Sequence, residues 1–472
     1  MNCNLKKVLV LVPHQDDEIN IAGCLFETLH HHNVEVTVVF STNGDYFPLL
    51  ASTRYDEAVK VKGILPYNRI IYLGYGDEYK GAHIYDLRDG GTAISSSGRK
   101  ETYFPGKGAE FCWGKNGSHH SYTRNNFKKD IRDVIIELLP DVIICVDLDS
   151  HPDHRCLSLL FDEVMGEVLK EAYNYRPLIL KKFAYLGVWH GANDFFDTTV
   201  NDTKGIILGK EVSSYPYSWD SRFRLTVPDN YYSLFFWRTP IFKAINCYKT
   251  QSITLNEKNS GLLSFPKIVN RDMVFWVRRS DSLALTASIS ATSGDVDYLT
   301  DFKLYDTNNI RTNNLLEDGL FWVPSIRDKE KCISFIFDSP VDISLIKIYQ
   351  HLNLGVKKVE IVFNNGFRVL KDCEQAAEAC ILVPIQHEIK QMYIRILEGY
   401  SEIIKIGEIE VFSSLYGDEK IMDVFNINDT TLKDGKRNKF ICAFFETLYR
   451  GYCEIKIRLN NYIFRNRLCS QR

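Results

Sequence analysis

The stretch KVLVLVPHQDDEINIAGCL, residues 7–25, decides how the first part of the chain folds. A lysine and five apolar β-formers stop at Pro13, and a histidine, two aspartates and a glutamate then stand at positions 14 and 16–18. A short apolar run ended by a turn signal reads as a strand buried on both faces, as in a parallel sheet. The following stretch from Glu18 to His31 reads as a helix, so the polar residues fall at the carboxyl end of the strand.

Working outward, the same alternation recurs in EVTVVFS (35–41), a helical stretch from Tyr55 to Leu65, RIIYLG (69–74), DVIICVD (141–147) and a helix after His154. The fold class expected is α/β, a Rossmann-like mostly parallel sheet with helices on both faces. Between Gly74 and Thr123 lies a long stretch rich in Gly, Ser, Asp and aromatics without sustained periodicity, which reads as a lid or a disordered segment beside the strand ends. From Met273 the texture changes to short alternating strands such as FWVRR, CISFIFD, LIKIYQH and IGEIEVF, the pattern of an antiparallel β-sandwich. The expected organisation is a first domain over 1–255, a linker over 256–275, a sandwich over 276–412 and a tail over 413–472.

The 472 residues carry a formal charge of −3, which gives no chain-wide attraction to nucleic acid. The tail differs, because from Lys433 onward ten Lys and Arg stand against three Asp and Glu. Its FICAFFETLY and NNYIF segments fit an amphipathic membrane-surface element, or a solvated face packed on the sandwich. The first residues lack the pattern of a signal peptide and the twelve cysteines include no CxxC pair, so a cytoplasmic protein, peripheral at the membrane through its tail, is expected.

In a tight strand-to-helix turn, His14 and Asp17 can face one cation while Asp16 between them points at a bound water. His154 in SHPDHRC follows another strand, DVIICVD, and supplies a third ligand. Two imidazoles and one carboxylate leave a position open for water on Zn2+, the arrangement of hydrolytic zinc sites. Each motif also has a bland reading: an acidic first helical turn for Asp16 to Glu18, and a Pro-containing turn with a capping aspartate for HPDH.

PHQDDE and HPDH together resemble the zinc-dependent PIG-L/LmbE-like de-N-acetylases. The resemblance runs from Lys7 to Gln251 through AGCL, STNGD, RYDEA, LGYGDE and KAINCYKTQ, with Gln15 where many members have Pro. It implies that His14, Asp17 and His154 bind zinc, that Asp16 is the general base, and that His151, oriented by Asp153, stabilises the oxyanion. It also implies an N-acetylated sugar, glycan or glycolipid as substrate, N-acetylglucosaminyl in type. Arg54 takes a position that would hold a substrate phosphate or hydroxyl, with a surface ion pair to Asp56 or Glu57 as the alternative.

Trp189, His190 and Asp194 follow a further strand and could line a sugar pocket, or simply pack a strand end. His30 to His32, His119 and His120 read as solvated imidazoles, not catalytic ligands. Residues 276–412 resemble a discoidin-like sandwich of the factor V/VIII C-type, a group that overlaps carbohydrate-binding modules; a purely structural role is the alternative. The rivals to a sugar deacetylase are an amidase for another substrate, such as a thiol conjugate, and a non-catalytic glycan-binding protein.

Overall fold

The computed structural model describes residues 5–87, 90–149, 151–172, 174–184, 194–197, 203, 222–252, 268–304, 321–415 and 437–470. The chain opens with β1 (Lys7–Val12), α1 (Asp17–Ala22), α2 (Phe26–His31), β2 (Glu35–Thr42), α3 (Ala51–Lys62) and β3 (Arg69–Tyr75). It continues through α4 (Phe111–Asn116), α5 (Arg124–Leu138), β4 (Val142–Val146), α6 (Pro152–Glu171) and β5 (Leu178–Lys182). Next come β6 (Arg222–Thr226), α7 (Pro240–Ile245) and β7 (Asp272–Arg278).

These strands make a seven-stranded sheet in the order β3-β2-β1-β4-β5-β7-β6. The first five run parallel, with β1 paired to β2 from Lys7↔Glu35 to Val12↔Phe40 and to β4 from Val8↔Val142 to Leu11↔Cys145. All five apolar residues of β1 are buried, as a central parallel strand covered on both faces requires. Strand order reverses between β1 and β4. Connections leave these two strands in opposite directions, and the resulting crevice at their carboxyl ends is where α/β sheets bind ligands.

Two expectations are corrected here. The helix read from Glu18 to His31 is broken into α1 and α2 at Gly23, where a Cβ would lie 2.7 Å from the Ile19 carbonyl and 2.8 Å from Ile241 of α7. The FWVRR segment belongs to β7, which lies in the first sheet between β5 and β6 and antiparallel to both, so the first domain runs to about Arg278. Alternation marks a strand but carries no label for the sheet it joins.

The sandwich comprises β8 (Ser288–Ala291), β9 (Cys332–Gln350), β10 (Val356–Phe363), β11 (Arg368–Asp372), β12 (Glu378–Gly399) and β13 (Ile406–Phe412), all antiparallel where paired. CISFIFD and LIKIYQH, read as separate strands, are the two halves of β9. The β9–β12 pairing shifts register around Gln386 and Ile389, and such bulges bend a sheet. The early half of β9 pairs with β8 and the late half with β13, while Ile333, Phe335, Ile346, Ile394 and Ile409 share one core.

The two domains meet through buried charge. Arg278 at the end of β7 donates from Nη2 to the Phe302 carbonyl (3.0 Å) and to Glu410 of β13 (3.3 Å), and its Nη1 lies 3.8 Å from Asp162 of α6. Asp162 in turn takes Lys181 Nζ of β5 at 2.9 Å. Contact is so close that a Cβ on Gly166 of α6 would sit 2.4 Å from the Asp301 carbonyl oxygen.

A last helix, α8 (Lys439–Ser470), packs Phe445, Tyr449, Cys453 and Ile457 into the core of the first domain. The alternative of a tail lying on the sandwich is thereby corrected. Phe196, Phe235, Phe236, Trp237 and Phe242, all from the first domain, offered the aromatic surface it covers.

Removing one partner of a buried ion pair leaves an uncompensated charge, typically at a cost of about 3–5 kcal/mol. Arg278→Ala should therefore lower the denaturant midpoint clearly, whereas Arg132→Ala, which breaks the exposed pair with Glu171, should change stability by no more than about 1 kcal/mol. Chemical denaturation of both variants checks this, and equal midpoints would contradict it.

Candidate active site

The three acids after His14 have three different environments. Asp16 adopts φ 115° and ψ −28°, a left-handed conformation that Asp tolerates better than most residues. Its backbone N–H donates to Glu18 Oε2 at 2.8 Å, and its side chain lines a cleft together with His14, Arg54, Asp77, Glu78 and His151. Asp17 starts α1, buried against the imidazoles. Glu18 is fully buried and accepts from Tyr248 Oη at 2.5 Å; burial pushes its pKa up to about 8.

His14 Nδ1 lies 3.1 Å from Asp17 Oδ2, His154 Nε2 lies 3.2 Å from the same oxygen, and the two nitrogens are 3.3 Å apart. A tetrahedral zinc with ligands at about 2.0–2.1 Å sets its donor atoms roughly 3.3–3.4 Å apart. The near-equilateral triangle therefore fits one face of such an ion.

The far nitrogens of both rings are spoken for. His154 Nδ1 donates to Asp149 Oδ2 at 2.7 Å, and His14 Nε2 donates to Asp153 Oδ2 at 3.1 Å. A carboxylate only accepts, so once a cation displaces the second proton each bond would leave the nitrogen that faces the triangle with its lone pair for the ion, which is how second carboxylates prepare metal-binding histidines. Burial opposes charge on His154, yet Asp149 and Asp17 reverse this and lift its pKa to about 10; burial likewise opposes charge on His14, which Asp77, Asp153 and Asp17 raise well above its ordinary value. The surplus of carboxylate makes this a place that draws cations.

Other groupings of ligand-type residues fit less well. His151 also brings a nitrogen near His14 and His154, but its Nδ1 accepts the backbone N–H of Asp153 (3.2 Å) at the start of α6. Asp77 and Asp153 approach His14 Nε2, but Asp77 accepts from Gly44 N and Asp153 from Glu78 N and His83 Nε2.

His151 is expected to be oriented by the Asp153 carboxylate. Instead that carboxylate stands 3.9 Å from His151 Nδ1 and serves His14 and His83, and the backbone N–H does the orienting. With Nδ1 accepting, the ring proton sits on Nε2, on the cleft side near Glu78 Oε1 (3.7 Å). Burial and the neighbouring His14 and His154 push the His151 pKa down to about 4, which favours a neutral imidazole that donates from Nε2. Asp16 moves the other way: burial and the adjacent Asp17 charge push it up to about 7.

Arg54 lies in the cleft wall, not on the surface. It donates from Nη2 to the Gln15 carbonyl (2.9 Å) and pairs with Asp77 (3.4 Å), while Glu57 accepts from Thr250; the alternative of a surface pair with Asp56 or Glu57 is set aside. Trp189 and His190 lie outside the described residues, as does the side chain of Asp194, whose backbone forms a short turn, Asp194–Phe196. His119 and His120 bond Glu110 and Asp130, away from the zinc-type triangle. His30 to His32 end α2 in exposed positions.

Asp149, Asp77 and His83 are the site residues that motif reading does not single out. Asp149 had a signal, standing five residues before His154 after a strand. Asp77 and His83 come from the long irregular segment after β3, which is packed against the strand ends.

Residues 9–165 match the PIG-L family model, described as GlcNAc-PI de-N-acetylase, and so bear out the family resemblance for the part of the chain that carries His14, Asp17 and His154. Solved structures similar to the chain include the N,N'-diacetylchitobiose deacetylase from Pyrococcus horikoshii, 18% identical, spanning 59% of this chain and 85% of that one with TM-score 0.34. A deacetylase in the biosynthesis pathway of teicoplanin is 16% identical, spanning 58% and 99% with TM-score 0.35. A family 32 carbohydrate-binding module of NanJ from C. perfringens is 20% identical, spanning 26% and 92% with TM-score 0.20. No curated protein matches the chain.

Loss of a carboxylate behind a metal-binding histidine typically weakens the metal by about 10–100-fold. Asp149→Asn should do so here, read by zinc competition against a chromophoric chelator, and His154→Ala should abolish stoichiometric binding. Wild-type affinity in Asp149→Asn would remove Asp149 from this role.

Proposed function

We propose that the chain is a zinc-dependent hydrolase that removes the acetyl group from an N-acetylated amino sugar of a glycan or glycolipid, N-acetylglucosaminyl in type. The observation that carries this reading is the His14–Asp17–His154 donor triangle, each histidine held by a second carboxylate, with Asp16 and His151 on the same cleft. The family match over residues 9–165 supports the choice of amide and of amino sugar.

Zinc bound by these three residues would supply positive charge that acidifies water and polarises the acetamide carbonyl. Asp16, with a pKa raised to about 7, is suited to take the water proton as the new C–O bond forms. His151, neutral and presenting Nε2–H, is placed to donate to the oxygen that gains charge. As the C–N bond breaks, Asp16 returns its proton to the leaving nitrogen, giving acetate and a free amine.

Tyr46 and Phe47, both about half exposed, stand at the cleft mouth and offer aromatic faces to a pyranose ring. Arg54 lines the same cleft, and beyond the two N–H groups given to Asp77 and the Gln15 carbonyl its guanidinium has further donors for a substrate hydroxyl. The sandwich would hold a further part of the glycan. A cytoplasmic setting agrees with the free thiols of the described cysteines.

Acetate release from N-acetylglucosamine and N-acetylgalactosamine conjugates, free, nucleotide-linked and lipid-linked, tests the proposal. Asp16→Asn should keep the zinc and lose about 10²–10⁴-fold in rate. A zinc-loaded protein that releases acetate from none of them, or an Asp16→Asn variant of near-normal rate, would overturn the respective assignment.

A further inference from the structure

Helix α8 carries two apolar faces, and the fold uses one. Cys442, Phe445, Tyr449, Cys453 and Ile457 are buried against the first domain. Ile441, Phe444, Leu448, Ile455, Leu459 and Tyr462 form a second stripe with spacings of three, four, seven, four and three, a helical row, and each is between 43% and 71% exposed. Phe235 and Trp237, also exposed, pack on Phe445 and extend the stripe onto the body of the first domain. Large contiguous apolar surface of this kind marks an interaction site.

We propose that this face docks on an anionic lipid surface. Charge selects the occupant: between Lys439 and Ser470 six Lys and Arg stand against two Glu, although the whole chain is at −3. Arg458 follows Ile455 by three and precedes Tyr462 by four, on the edge of the stripe, and Arg238 stands 5.4 Å from the Phe235 ring. Apolar and aromatic residues on one face with bases beside them are the make-up of helices that lie in a headgroup layer. No described helix is long and apolar enough to cross a membrane.

A second copy of the chain is the rival occupant, since Ile441, Leu448, Ile455 and Tyr462 recur every seven residues. A companion row three residues on would be Phe444, Gly451, Arg458 and Arg465, with no side chain at one position and like charges at two others; a row four residues on would be Phe445, Tyr452 and Leu459, of which Phe445 and Tyr452 are already packed on the first domain. Two basic helices would repel each other, whereas anionic lipid gains from each base.

The surface has a bearing on the active site. Helix α8 packs against the turn Thr250–Ser252, and Thr250 and Gln251 line the cleft, so docking would bring that wall close to the lipid headgroups. The docking itself stands apart from the catalytic reading, because its measurement does not use acetate release.

The test is co-sedimentation of the full chain with phosphatidylcholine vesicles, with and without phosphatidylglycerol, alongside light scattering of the free protein. The wild type should pellet with the anionic vesicles and less so as salt rises. Leu448→Glu and Ile455→Glu, both at exposed positions, should each weaken the partition by about tenfold or more while zinc content and circular dichroism stay unchanged. Absence of wild-type pelleting, or equal pelleting by both variants, would overturn the proposal. A dimer in solution that Ile455→Glu dissolves, without vesicle binding, would assign the face to a second copy instead.

Discussion

Everything at the cleft depends on holding carboxylates in a space almost without water. Asp17, Asp149 and Asp153 are each nearly inaccessible to solvent, and ionised groups so placed are costly unless cations or donors meet them. His14 and His154 meet Asp17 with one edge and Asp149 or Asp153 with the other, so each imidazole is gripped from both sides. The arrangement fixes ring orientation and proton position together. It also explains why the strand ends had to supply the residues: only at the β1/β4 crevice do two connections separate widely enough to leave room between them.

The same economy of charge joins the domains. Lys181, Asp162, Arg278 and Glu410 run from β5 through α6 and β7 to β13, alternating in sign and shielded from solvent. Burial pushes the Glu410 carboxyl up, and Arg278 and Lys347 pull it back. Such chains need every member, because a charge left alone costs more than the pair gained. The sandwich is therefore tied to the first domain by an electrostatic chain, to which the Arg278 guanidinium adds a cation–π contact with the Phe302 ring, 4.1 Å from its centroid.

Much of this was legible beforehand. The apolar run of β1 and the motifs at 14–18 and 151–154 pointed to the parallel sheet and to the residues that gather at its switch point, because strand polarity alone puts them there. What pattern could not provide was the division of labour among Asp16, Asp17 and Glu18, which turns on one positive φ at Asp16 and on the Tyr248 hydroxyl, 230 residues away. Nor could it place β7, since its alternation suits either domain, or bring Asp77 and His83 to Asp153 and His14, since the segment after β3 has no period to read. The basic tail showed its amphipathic composition but not that it would find its partner in the aromatic turn at 235–237.

Gly166 has a mechanical meaning. With the Asp301 carbonyl seated where a Cβ would be, and Arg278 anchored across the same seam, the sandwich cannot behave as a module on a string that sweeps out a volume and raises local concentration. It behaves as a fixed caliper. Its loops keep one distance and one angle to the β1/β4 crevice, so the two domains move as one piece.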